Sequence, residues 1–160
     1  MTSNKPRVLL LSIKPHFVQK ILDGKKNVEL RKVRPQLNIG DYILVYESAP
    51  QKILRGWFEV KSIVCAEPEF LWEKVKQDAG LTKEEFDLYY QKSNFGVGIF
   101  MKDRHITALS LDEVRQRWPH FRPPQSFHYL KDNEICLAEE ITQYNLSSGH
   151  QPALPLSLNH

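Results

Sequence analysis

Residues 24–31 read Gly24-Lys25-Lys26-Asn27-Val28-Glu29-Leu30-Arg31, and the reading of this stretch decides the fold. Ahead of it, Pro15 opens a helix at a favourable first position, and Phe17, Val18, Ile21 and Leu22 fall on one helical face. Gly24 stops that helix as a left-handed cap. Behind it, Val28 to Val33 reads as a strand. Side chains two apart on a strand share a face, so Val28 and Leu30 face a core while Glu29 and Arg31 face solvent or a cleft. Lys26, in the turn, reaches the same space. A carboxylate flanked by two cations can accept a donor from a base edge or an amide while the cations hold phosphate. The plainer alternative is a surface ion pair of about 0–1 kcal/mol.

Working outward, Val8 to Ile13 is a short apolar run that reads as a buried strand. Gly40-Asp41 marks a turn before a strand over Tyr42–Tyr46, which Ser48-Ala49-Pro50 ends. Ile53 to Val64 reads as a long strand bent at Gly56. Pro68 starts a helix with Phe70, Leu71 and Val75 inward. Thr82 with Glu85, and Ser110 with Glu113, have capping-box spacing. The first predicts a helix carrying Phe86, Tyr89 and Tyr90; the second, one carrying Val114, Arg117 and Trp118. Phe95 to Met101 reads as a strand with two glycines, and Glu134 to Glu139 as the last strand. Five to six strands with helices inserted between them predict an α+β small mixed β-barrel with peripheral helices, not a doubly wound sheet. The expected organisation is a basic segment over residues 1–7, one domain over 8–146 and a disordered tail over 147–160.

The charge of +3 on 160 residues conceals an asymmetry. Residues 1–34 hold nine Lys/Arg against two acids, a net +7; the remainder holds 13 against 17, a net −4. A basic end on an acidic body points to an anionic partner docking at one place. Cys65 and Cys136 lie in apolar, strand-like runs and do not make a disulfide framework, so a reduced, cytoplasmic setting is expected. No run is long enough to span a membrane, and the N-terminus does not read as a signal peptide. The six histidines and two cysteines show no ligand spacing, so neither a metal nor a cofactor is expected. Nothing in the sequence assigns an oligomeric state.

The segment Leu11-Ser12-Ile13-Lys14-Pro15, the helix running to Gly24, and Lys26, Glu29 and Arg31 resemble the ASCH domain family. Its signature Gly-x-Lys-x-x-Glu-x-Arg is met by Gly24, Lys26, Glu29 and Arg31. The similarity continues through Val45 to Pro50, Gly56 to Val60 and Pro123-Pro124-Gln125-Ser126-Phe127, the last resembling prokaryotic stand-alone members. The resemblance implies a PUA-like barrel with a charged cleft facing nucleic acid; the family is associated with RNA binding, with DNA binding and in some cases with hydrolysis, and RNA or another single strand is the partner expected here. One branch it resembles is a metal-free hydrolase type that removes the acyl group from N4-acetylcytidine, a modified nucleoside. That branch uses the motif lysine, a threonine three residues later and a glutamate on a later helix. Here Lys26 is kept, Glu29 stands in place of the threonine, and the later glutamate falls at Ala79, next to Asp78. If this chain is an enzyme, Lys26 and Glu29 are the candidate catalytic pair.

Four further positions complete the expected site, beside Lys14 near the cleft. Tyr46 and Ser48 lie at a strand end, where Tyr46 could stack on a base. Pro123 and Pro124 stiffen a loop and keep it out of a sheet ladder. Gln125 and Ser126, which can read a base edge, are expected to face the same ligand as Glu29, with Phe127 packed inward to hold the loop. An RNA-binding module, a hydrolase acting on RNA or a modified pyrimidine nucleoside, and a cleft for an acidic peptide are the three functions weighed.

Overall fold

The structure, a computed structural model, describes residues 5–147. The tail expected over 147–160 therefore lies outside the described residues, apart from Ser147. The first strand, β1 (Val8–Ile13), is followed by α1 (Pro15–Leu22), β2 (Val28–Arg31), β3 (Tyr42–Glu47) and β4 (Ile53–Ala66). Two helices, α2 (Pro68–Val75) and α3 (Lys83–Tyr90), precede the 15-residue β5 (Gly96–Ser110). The chain closes with α4 (Leu111–Arg117), β6 (Phe127–Tyr129) and α5 (Asp132–Thr142). One six-stranded sheet in the order β2-β5-β4-β3-β1-β6 curls into a half-barrel, the PUA-like α+β fold.

β1 pairs parallel with β3. A parallel pair needs a crossover, and here it carries α1 and β2, which places the charged turn and strand at the far edge of the sheet. All six residues of β3 are buried. Alternate residues of β1 serve two cores. Val8 and Leu10 join Tyr42, Leu44, Trp57 and Trp118 under α4 and α5. Leu9, Leu11 and Ile13 join Val18, Ile21, Ile43 and Val97 inside the curl under α1. A third cluster, Val28, Leu30, Leu71, Val75, Phe86 and Tyr90, docks α2 and α3 on β2. These helices come close: a Cβ on Gly96 would lie 2.6 Å from a Leu71 methyl, so only glycine fits there.

Both capping boxes form, with Glu85 and Glu113 accepting from the backbone N–H of Thr82 and Ser110 at 2.8 Å each. The β4–β5 ladder shifts register between Leu54 and Gly56, at the expected bend.

Four sequence expectations give way. Residues 134–139 belong to α5, not a strand. Glu134 accepts from the Lys131 N–H at 2.8 Å and starts a helix, whose buried Ala138 and Thr142 are four apart. Cys136 therefore sits on a helix, exposed and free, as Cys65 is on β4. β5 continues nine residues past Met101 because β4 is long enough to pair with it as far as Ser110. Phe70 is 59% exposed, since Leu71 and Val75 alone fill the inner face of α2.

Candidate functional site

The two sheet edges, β2 and β6, meet at a seam. Arg31 Nη1, at the end of β2, donates to Ser126 Oγ at 3.3 Å just before β6. The Gln36 N–H donates to Tyr129 Oη at 2.8 Å. The free edge of β2 is covered by α3: Tyr90 Oη donates to the Arg31 carbonyl at 2.9 Å and Tyr89 Oη to that of Leu30 at 3.4 Å. These contacts satisfy carbonyls that an edge strand leaves open.

Beside the seam is a cleft of about 450 Å³ between the end of β1, the start of α1, β2 and α3. Its charged lining is Lys14, Lys26, Glu29, Arg31 and, from α3, Glu85. Val28 and Leu30 alternate with Glu29 and Arg31 and are buried against α2 and α3, and Leu30 also forms part of the cleft wall. Arg31 Nε lies 3.2 Å from Glu29 Oε2, with the two side chains only 22% and 12% exposed.

Lys26 is only 4% exposed, and local structure explains how. Gly24, at φ +77°, turns the chain out of α1. The N–H groups of Lys25 and Lys26 then return to the Lys20 carbonyl, and the Asn27 N–H donates to the Asp78 carbonyl at 2.8 Å. Asp78 also accepts from the Asn27 side chain at 3.2 Å. The turn is thereby pinned to the loop between α2 and α3. Gly80, at φ +67°, lets that loop approach; a Cβ there would lie 3.0 Å from Lys26 Cβ. Lys26 Nζ donates to the Ala79 carbonyl at 3.0 Å, and Lys20 Nζ to that of Gly80 at 2.6 Å. Part of the basic excess of residues 1–34 is thus committed to holding the fold. At Ala79, the position expected from the hydrolase resemblance to carry a glutamate, the lysine meets a backbone oxygen.

Desolvation pushes the Lys26 pKa down, opposed by the nearby Glu29 carboxylate and aided by Lys20. Desolvation pushes the Glu29 pKa up, opposed by Arg31 and Lys26. The cleft thus holds an acid and a base drawn towards each other in proton affinity.

Of the other expected site residues, Ser126 reaches Arg31, as the stiff loop was expected to allow. The loop is tied down by Ser12, whose Oγ donates to the Pro124 carbonyl at 2.6 Å and whose N–H donates to that of Ser126. Gln125 turns away, lining a separate concavity with His120 and His128. Phe127 does not pack inward: it is 48% exposed and begins β6, so the loop runs directly into a ladder on β1. Tyr46 is 2% exposed and its ring packs on Phe121 at 5.7 Å, in the core under α4, so it offers no stacking face in the cleft. Ser48 donates through its N–H to the Ile13 carbonyl at 3.0 Å, behind the cleft lining.

The sequence reading missed Ser12, Phe17, Leu88 and Tyr89 as lining residues. A signal existed for Tyr89. Phe86 and Tyr90, four apart, share the inner face of α3, which leaves the ring between them facing outward. Tyr89 is 38% exposed, and Lys32 Nζ sits 4.7 Å from its ring centroid. Phe17 has Lys26 Nζ at 5.3 Å.

A six-stranded half-barrel with a charged cleft at its seam defines a PUA-like domain. The ASCH domain family model matches residues 11–100, and the chain belongs to that family. It is 27% identical over 134 residues, 83% of this chain and 90% of the relative, to an ASCH domain-containing ribonuclease of Zymomonas mobilis. It is also 26% identical over 126 residues to the large ribosomal subunit protein uL22 of Ureaplasma parvum, a match covering 39% of that protein. The crystal structure of ASCH from Zymomonas mobilis superposes with a TM-score of 0.76 at 25% identity, covering 84% of this chain and 95% of that one. A protein from Leishmania major shares the fold at a TM-score of 0.52, with 19% identity over 88% of this chain and 97% of its own.

Proposed function

We propose that this chain handles RNA, holding a single-stranded segment in the seam cleft. Lys14, Lys26 and Arg31 contact phosphate, Glu29 accepts from a base or ribose donor, and Tyr89 with Phe17 offers aromatic faces to a base. The observation that supports this best is the Glu29–Arg31 pair, largely enclosed beside a buried lysine in a cleft with aromatic walls. An isolated surface pair has no such surroundings. The ribonuclease relative, matched over 90% of its length, favours RNA as the partner.

The test is RNA binding as a function of salt. Removing one cation that touches phosphate lowers the slope of log K against log salt by about one. Lys26→Ala and Arg31→Met each weaken binding and flatten the slope. Absence of binding to single-stranded RNA at low salt refutes the reading.

A second reading, cleavage, is favoured by the direction in which burial moves Lys26 and Glu29. A carboxylate made more basic can take a proton from a hydroxyl nucleophile, and a buried lysine can supply charge or a proton. Incubating the protein with RNA and, separately, with N4-acetylcytidine distinguishes the substrates. Glu29→Gln abolishes turnover of whichever one reacts while keeping the shape of the cleft.

A further inference from the structure

Past Arg31 the seam opens into a second concavity of about 250 Å³, and Arg31 lines both. Val33, Arg34, Phe127 and Tyr129 line the second one, and none of its lining residues is acidic. Resting on the RNA reading of the cleft, we infer that this concavity is a subsite for the adjoining nucleotide of a single strand. Its base stacks on Phe127, and its phosphate lies within reach of Arg31 and Arg34.

Three observations carry the inference. The first is the Phe127 ring, 48% exposed on a strand whose neighbours are buried or half-buried. Its orientation is fixed, since Tyr129 stands edge-on to it at 5.6 Å and 74°. Tyr129 is itself held by the Gln36 N–H at 2.8 Å. A preformed, solvent-facing aromatic ring is what base stacking needs, and stacking tolerates any base.

The second is Arg34. Its guanidinium donates to the Leu37 carbonyl at 3.3 Å and approaches Cys65 Sγ at 3.6 Å. Like Arg7, Arg115 and Arg122, and unlike Arg31, Arg55, Arg104 and Arg117, it makes no ion pair among the described residues; of the unpaired arginines it is the one that lines this concavity. An arginine pointed along a surface that holds no acid leaves its charge for a ligand.

The third is continuity. A strand leaving the cleft on this side passes over Arg31, the wall common to both concavities, so one guanidinium can contact the phosphate that joins the two nucleotides. A duplex does not fit this path, because its bases are already stacked on one another. The ligand class is therefore single-stranded RNA of at least two nucleotides.

The experiment uses the full chain and 2′-O-methyl oligoadenylates of one to six nucleotides, which withstand cleavage that needs the 2′-hydroxyl. Binding is followed by calorimetry at low salt. Affinity is expected to rise at least tenfold from one nucleotide to two or three. Phe127→Ala removes most of that rise and leaves the mononucleotide affinity as it was. Arg34→Gln lowers the salt slope by about one for the oligomers only. Both side chains are exposed, so the variants keep the fold, which circular dichroism verifies. If both variants bind oligomers as the unaltered protein does while Arg31→Met weakens them, the subsite is wrong and the cleft reading stands. If the unaltered protein binds none of the oligomers, both fall.

Discussion

Of the glutamate–arginine pairs among the described residues, Glu47–Arg55 and Glu29–Arg31 are the two most enclosed, and they differ in what surrounds them. Glu47 and Arg55 face each other across the paired strands β3 and β4, 2.7 Å apart, with side chains 6% and 21% exposed. They line none of the concavities described above. Glu29 and Arg31 are neighbours on one strand, 3.2 Å apart and about as enclosed at 12% and 22%. Around them, however, stand a buried lysine, a serine on the opposite sheet edge and an open cleft. The first pair satisfies its charges within itself and fastens two strands. The second has a further cation beside it and opens onto a cleft that a ligand can enter. Burial and pairing alone do not separate a structural pair from one that can serve a ligand; the open cleft beside it does.

Glu47→Ala leaves Arg55 without a partner in a largely enclosed place and costs about 3–5 kcal/mol of stability, read as a shift in the urea midpoint. RNA affinity of the protein that remains folded is unchanged. If affinity falls as well, the two pairs are not separable. Arg31→Met does the opposite. Stability falls by about 1 kcal/mol, because Lys26 still faces Glu29, while RNA binding weakens roughly tenfold with one unit less of salt slope.

Gly80→Ala tests how the lysine is held. Its left-handed backbone and the 3.0 Å approach to Lys26 Cβ leave no easy place for a methyl group. The expected cost is about 1–2 kcal/mol, with a severalfold loss of RNA affinity as Lys26 shifts. The smallest effect is in pH. Because Lys26 has a lowered pKa when folded, between that value and its unfolded value of 10.5 the unfolded chain binds more protons. Stability supplied by this group therefore rises with pH across that window. Lys26→Gln removes the rise, seen as a difference in denaturation midpoints between pH 8 and 10.5. Glu29 contributes with the opposite sign. Its folded pKa is raised above 4.5, so its contribution declines as pH rises through the folded value, and Glu29→Gln removes that decline.

Much of this arrangement was legible in the chain because it rests on local rules. Gly24, the alternation of Val28 with Leu30 and of Glu29 with Arg31, and the two capping boxes all act within a few residues. The failures have a common cause in tertiary context. Ile135-Cys136-Leu137-Ala138 is apolar enough for a strand, and the helix follows from the Glu134 cap on Lys131 together with the burial of Ala138 and Thr142 on one face of α5. Tyr46 stands at a strand end, but the curl of the sheet turns it into the core while bringing Tyr89 to the cleft. Ser126 was found through its stiff loop, yet its contact with Arg31 depends on two sheet edges closing, which no local pattern encodes. Phe127 is expected inside as the anchor of the loop; its outward position follows from pairing with β1 at the edge.

The proposed role of Arg31 and Lys26 is to hold RNA in the seam cleft. The most direct measurement is the salt dependence of single-stranded RNA binding for the unaltered protein, Arg31→Met and Lys26→Ala, determined together. The expected slope falls by about one unit in each variant while both remain folded. Folded variants that keep the full slope and affinity would contradict it.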